Sequence, residues 1–157
     1  MPKSNLYIGV LSGTSADSID ALLIDFSKSI KVIDRFSEKI PKKVKDNIFE
    51  LVLNKKLPNY TEKQKELDCK LGKLIGKCVN QLIKKSQVDK QTVKGIGSHG
   101  QTIIHSSSRK KPFSLQIGNP ELIKKLTGIK VVHGFRQSDI ANGGMGAPLT
   151  PAFHKEY

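Results

Sequence analysis

Apolar and polar positions change their period several times along this chain, and each change marks an element. Residues 6–11 and 19–26 are apolar runs of strand length, and residues 30–36 carry Ile30, Val32 and Ile33 among polar neighbours. The first part of the chain therefore reads as a three-stranded meander. The period then becomes helical. Within residues 43–53, Val44, Ile48, Leu51 and Val52 fall on one face, with Pro41 ahead of them as a start signal. Beyond a loop at residues 57–60, Thr61 and Gln64 make a capping-box pattern. Leu67, Leu71, Leu74, Ile75, Cys78, Val79, Leu82 and Ile83 then recur at three- and four-residue spacing, as one long amphipathic helix requires. Short strands are predicted at residues 94–98, 102–105 and 113–117. Asn119 as cap, Pro120 at the first helical position, Glu121 at the positive end of the dipole and Gly128 beyond Leu126-Thr127 outline a short helix. Residues 129–132 resume as strand. Interleaved strands and helices predict an α/β fold on a mixed sheet, with no repeat or low-complexity linker dividing it.

Composition narrows the class. A chain of 157 residues has the size of one domain with a genuine core. Its 27 Lys plus Arg against 14 Asp plus Glu give a formal charge of +13, which raises nucleic acid or an anionic membrane as partner. The residue types argue otherwise. Arginine occurs only at Arg35, Arg109 and Arg136, and the lysines are scattered, whereas base-edge and bidentate phosphate recognition favours arginine. Solvated lysine-rich faces are the reading, with neither nucleic acid nor membrane as partner. Cys69 and Cys78 are nine residues apart in the long helix, on opposite faces and about 13 Å apart along its axis, too far to pair. No leader-like segment and no apolar run of about 20 residues is present, so a reduced cytoplasmic location is expected. His99, His105, His133 and His154 have no His-x-x-x-His spacing and the cysteines no Cys-x-x-Cys spacing, so no metal site of the chain's own is predicted.

Four glycine-centred segments carry the candidate chemistry. Ser12-Gly13-Thr14-Ser15 sits between two apolar strands, where Gly13 lets main-chain N–H groups approach an anion and the hydroxyls of Ser12, Thr14 and Ser15 add donors. It is not a Walker A loop, since no Gly-Lys-Ser/Thr follows. A plain hairpin with a serine-rich tip has the same pattern. Gly97-Ser98-His99-Gly100-Gln101-Thr102 puts an imidazole and an amide on a turn after an apolar strand, either toward a ligand or as a hydrogen-bonded structural turn. Leu115-Gln116-Ile117-Gly118 leads into the capped helix, and a strand ending at that cap explains it equally. Arg136 and Asp139 share a face if helical, and Gly143, Gly144 and Gly146 follow. They suit a polar substrate pocket or a surface ion pair followed by a glycine loop.

Taken together and in order, Ser12-Gly13-Thr14-Ser15-x-Asp17, Gly97-x-His99-Gly100-Gln101-Thr102, Leu115-Gln116-Ile117-Gly118 and Phe135-Arg136-x-x-Asp139-x-Ala141-x-Gly143-Gly144-x-Gly146-Ala147-Pro148-Leu149-x-Pro151-Ala152-Phe153-His154 resemble the anhydro-N-acetylmuramic acid kinase family. The resemblance runs from Ile8 to His154. It implies the first lobe of an actin-like, ribonuclease-H-like ATPase: a mixed sheet made of an antiparallel meander plus further strands, flanked by helices. It also implies ATP and Mg²⁺ as cofactors and opening of a 1,6-anhydro sugar with phosphorylation at O6, in bacterial peptidoglycan recycling. By the same resemblance Gly13, Thr14, Ser15, Ala16, Asp17, Ser18, Ile19 and Asp20 form the nucleotide-phosphate turn. His99, Gly100, Gln101, Arg136, Asp139, Gly143 and Gly144 lie toward the sugar.

Three departures qualify that resemblance. Ser18 stands where the family usually has glycine. Gly134 stands where it usually has an aspartate, which by resemblance is the general base for the attacking water. Positioned proton transfer contributes on the order of 10²- to 10⁴-fold, so turnover is expected to suffer and no catalytic residue is assigned. Similar proteins are also about twice as long, so a second lobe is expected outside these 157 residues. The expectation divides accordingly. Either the chain is the N-terminal part of a working kinase completed by another segment, or it is an inactive lobe that only binds or self-associates.

Overall fold

Three antiparallel strands open the chain: β1 (Leu6–Ser12), β2 (Ser18–Asp25) and β3 (Lys31–Lys39). In this computed structural model residues 5–106, 108, 110–150 and 155 are described; Arg109 and the motif end Pro151-Ala152-Phe153-His154 lie outside them. The predicted meander forms, with Ile8 opposite Leu23 and Val10 opposite Ala21. Its third strand runs to Lys39, three residues beyond the predicted end at Phe36. Two helices follow, α1 (Lys42–Leu53) and α2 (Tyr60–Ser86). The chain then re-enters the sheet as β4 (Val93–Ser98), leaves it for a separate hairpin of β5 (Gln101–Ser106) and β6 (Phe113–Ile117), and continues through α3 (Pro120–Thr127) into β7 (Val131–Val132) and α4 (Phe135–Ala141).

The main sheet has the order β3-β2-β1-β4-β7. Its last two strands run parallel to β1 and to each other, because each is reached by a helical crossover. Even-numbered side chains of β1 and odd-numbered ones of β2 point to one face, where Ile8, Val10, Ile19, Ala21 and Leu23 pack with Ile96 of β4 against Leu71, Ile75, Cys78 and Leu82 of α2. Each such fully buried aliphatic side chain contributes roughly 1.5–3 kcal/mol. Helix α2 is the centre of this layer. Gly72 and Gly76 lie one turn apart on it, and a Cβ on either would meet Asn119 O at 2.8 Å or Leu126 Cδ1 at 2.9 Å, so they admit α3 at close range. The mixed sheet flanked by helices is the arrangement of an actin-like, ribonuclease-H-like ATPase first lobe.

Two local expectations are corrected. The capping box at Thr61 and Gln64 is not formed: α2 starts at Tyr60, Asn59 is its cap, and no side chain caps it. The earlier start places Thr61 already inside the first turn. The strand predicted over residues 129–132 is reduced to Val131–Val132, where only Ile96 and Gly97 offer pairing partners. Asn119 caps α3 as its sequence predicts, accepting from the Leu122 N–H at 3.0 Å.

Candidate functional site

The turn between β1 and β2 presents Gly13, Thr14 and Ser15 to solvent while Ala16 is fully buried. Ala16 N–H donates to the Gly13 carbonyl at 3.0 Å, closing the turn. The tight point is not where composition placed it. Ala16 carries the left-handed φ of +49°, and Gly13 keeps an ordinary one. The anchored methyl and the Gly13–Ala16 bond hold the tip of the turn outward. Ser12 is also reassigned: only 5 % exposed, it donates within the fold to Gln101 Oε1 at 2.7 Å and lies 3.2 Å from the Ser18 carbonyl. Its hydroxyl does not face an incoming anion. That leaves the hydroxyls of Thr14 and Ser15. Asp17 is paired with Lys45 of α1, which holds its carboxyl below the usual range with help from the Ser15 hydroxyl. Asp20 accepts from Ser18 Oγ at 3.1 Å, and Ile19 is buried in the core.

The second motif lies directly alongside. His99 N–H donates to the Val10 carbonyl at 3.1 Å, so the turn after β4 is tied to β1 just before the first turn. Gly100 sits at φ +71°, and a Cβ there would stand 2.6 Å from the Ile117 carbonyl oxygen. Gln101 is 1 % exposed. It therefore links the two motifs from inside through Ser12, and does not line an open cleft.

Arg136 and Asp139 do share one face of α4, yet they are not paired with each other. Arg136 Nε donates to His99 Nε2 at 2.9 Å and its terminal nitrogen to the Gly146 carbonyl at 2.7 Å. Asp139 accepts from the Gly146 N–H at 2.7 Å and, through its own carbonyl, from the Gly144 N–H at 2.8 Å. The two side chains thus hold the glycine loop through both main-chain groups of one residue, Gly146. Gly144 is where that grip is tightest: a Cβ there would stand 2.1 Å from the Asp139 carboxylate. Gly143, at φ +87°, is exposed with open space around it.

His99 has one tautomer available in this arrangement. A guanidinium cannot accept, so Nε2 accepts from Arg136 and the ring proton sits on Nδ1, which donates to the Gly100 carbonyl at 3.0 Å. Burial pushes the imidazole below its usual range; the Gly100 bond opposes this and the Arg136 charge adds to it. A neutral imidazole already occupied at both nitrogens orients the turn and Arg136; it is not set up as a base.

His99, Gly100 and Gly134 line one concavity of about 300 Å³, together with Ser98, Asp68, Gln116, His133 and Gln137. Several of these were not singled out in the sequence. Asp68 of α2 accepts from Gly118 N–H and Asn119 Nδ2, both at 2.8 Å, and so fixes the floor. Gln137 donates to Gln116 Oε1 at 2.9 Å and bridges α4 to β6. Ser98 is 2 % exposed, and its hydroxyl has no partner among the described residues. Asp68 went unremarked in the sequence; a carboxylate one residue beyond Leu67 on the apolar side of the helix is the signal that could have found it. Gly134 sits at φ +73° as the residue preceding α4.

An exposed turn tip with the Thr14 hydroxyl, and that of Ser15 beside Asp17 to which it donates, suits phosphate oxygens, and Lys39, Lys42 and Lys45 line a cleft of about 540 Å³ beside Asp17 and Ser18. Among the described residues no three His, Cys, Asp or Glu side chains cluster as a metal site. A divalent cation here would be shared with phosphates, as magnesium is in kinases. No helix among the described residues is long and apolar enough to cross a membrane.

A family model described as anhydro-N-acetylmuramic acid kinase matches residues 5–157. Among curated relatives, the anhydro-N-acetylmuramic acid kinase of Coxiella burnetii (strain RSA 493 / Nine Mile phase I) is 45 % identical over 155 residues, covering 99 % of this chain and 41 % of its own length. That of Shewanella sediminis (strain HAW-EB3) is 46 % identical over 157 residues, with 98 % and 42 % covered. That of Shewanella loihica (strain ATCC BAA-1088 / PV-4) is 43 % identical over 155 residues, with 98 % and 42 % covered. The chain thus spans about two fifths of the length of these relatives, and it belongs to the anhydro-N-acetylmuramic acid kinase family.

Proposed function

We propose that this chain is the N-terminal lobe of a two-lobed, ATP- and Mg²⁺-dependent kinase that opens 1,6-anhydro-N-acetylmuramic acid and phosphorylates it at O6. One observation carries the reading: hydrogen bonds join three separate motifs at one end of the sheet, Ser12 to Gln101 at 2.7 Å and Arg136 to His99 at 2.9 Å. In this reading Thr14 and Ser15 bind the nucleotide phosphates, with Asp17 and Asp20 as the nearby carboxylates. Arg136, which has more N–H donors than its two described bonds use, faces sugar oxygens with His99 and Asp139 holding its surroundings. Bound ATP and its cation supply the phosphoryl group and neutralise its charge; the chain supplies position and electrostatics.

Gly134 favours a second reading in which the lobe binds ligands without turning them over. The test is a fusion of this chain to the part of the Coxiella burnetii relative that lies beyond the matched region. ATP-dependent formation of N-acetylmuramic acid 6-phosphate supports the kinase reading, and a folded fusion that binds neither nucleotide nor sugar overturns it. Gly134→Asp in the fusion separates the two readings: a gain on the order of 10²-fold or more marks a missing base, and no gain shows that position 134 supplies none.

A further inference from the structure

Among the described residues, the main sheet is covered on one face only. On the opposite face Tyr7, Leu11, Leu22 and Val132 are 38 %, 52 %, 39 % and 49 % exposed. Register places them together: Tyr7 pairs with Ile24, Gly9 with Leu22, and Gly97 with Val132. Down the middle runs a groove of about 500 Å³ floored by Gly9, Gly95 and Gly97 on the two central strands. Tyr7 and Phe26, packed edge to face at 5.8 Å, form one wall, and Val132 and Phe135 form the other.

Glycine inside a strand weakens it, and its usual justification is that another backbone approaches closely. At Gly9 no described residue makes that approach, for a Cβ there would meet nothing within 4 Å, whereas one on Gly95 or Gly97 would stand 3.6 Å from the Lys130 carbonyl oxygen or from Phe135 Cζ. We propose that this glycine-floored groove is the docking surface for the C-terminal portion of the kinase, the part that the family's longer chains carry beyond the region matched here. The inference rests on the proposed function for its partner. Two observations choose that occupant. The relatives match 98 % or more of this chain with only 41–42 % of their own length, so more than half of each remains to be packed somewhere. A second copy is disfavoured by charge, since each chain carries +13 and the groove itself is flanked by Lys94 and Lys130. The segment seated there is apolar along its contact, with acidic residues where it passes those two lysines.

The experiment uses the fusion described above, with a protease site at the junction that is cut after purification. Gly9→Val fills the groove where space is open and the backbone is ordinary strand, so the variant chain keeps or raises its melting temperature. Leu22→Lys is a second variant on the same face. After cutting, the wild-type halves stay together on gel filtration, and each variant weakens the pair at least tenfold. Equal retention in wild type and both variants, or separation of the wild-type halves, overturns the proposal. So does dimerisation of the isolated chain that Gly9→Val abolishes, since the occupant is then a second copy. An active fusion whose cut halves ignore Gly9→Val removes the docking surface alone. A fusion that is blind to nucleotide and sugar, yet whose halves hold together and are split by Gly9→Val, removes the kinase reading alone.

Discussion

The Ser12–Gln101 bond is the most exacting place to test how the first two motifs are coupled. Ser12 has one hydroxyl proton and two acceptors within reach, Gln101 Oε1 at 2.7 Å and the Ser18 carbonyl at 3.2 Å, and the closer one takes it. Ser12→Ala strands the Gln101 oxygen at a site 1 % exposed. A buried acceptor without a donor costs about 1–3 kcal/mol. At about 2–4 °C per kcal/mol for a domain of this size, the middle of that range lowers the melting temperature by about 4–8 °C. Gln101→Met costs less from the Ser12 side, because the hydroxyl can turn to the Ser18 carbonyl. In the double variant the stranded oxygen is gone, so the combined loss falls short of the sum by about 1–2 kcal/mol. Chemical denaturation of the four proteins of the cycle measures this. Additivity within about 0.3–0.5 kcal/mol would refute the coupling and return Ser12 to the role of a turn donor.

Other outcomes follow from the same geometry. Gly144→Ala forces the Asp139 carboxylate off Gly146 and lowers stability by about 1–3 kcal/mol; thermal melts should show part of that loss recovered in Gly144→Ala/Asp139→Ala. His99 is held below the usual imidazole range, chiefly by burial, so the unfolded chain binds its proton more tightly. Stability from this group is complete above pH about 6.5 and declines as pH falls through that value, and His99→Gln should flatten the melting temperature measured between pH about 5 and 7.5. Cys78 donates to the Ile19 carbonyl at 3.5 Å, and burial pushes its thiol up to about 11, whereas Cys69 is exposed. A thiol-reactive dye should therefore titrate one of the two cysteines in the native chain and both after denaturation.

Much of the fold was legible because α2 and the first three strands have strong, different periods. Of the α2 stripe, Leu67, Leu71, Ile75, Cys78, Val79 and Leu82 are buried, and Leu74 and Ile83 are partly buried at its edge. The boundaries were less legible. Thr61 and Gln64 carry the letters of a capping box, but the cap falls two residues earlier, on Asn59, and leaves them inside the helix. The site divides in the same way. The residue types of the motifs are local, and they led to His99, Arg136 and Asp139. Asp139 bonds locally to Gly146, but the bonds that join one motif to another come from partners 37 or more residues distant, as with Arg136 on His99 and Asp68 under Gly118, and no periodicity encodes such a pairing. The turn near Gly13 shows the limit most directly: composition pointed to the glycine, while the buried methyl of Ala16 pins the left-handed residue.

The half-covered sheet has a consequence for how the separate chain behaves in solution. Its positive charge sets like-charged copies against one another while the apolar groove draws them together, and the two forces have different ranges. At about 0.01 M salt repulsion reaches about 30 Å and keeps the faces apart; at about 1 M it reaches about 3 Å, shorter than the side chains that line the groove. The chain by itself is thus a colloid held dispersed by electrostatics, most soluble in dilute buffer and salted out early, until a partner covers the glycine floor and removes the reason for sticking.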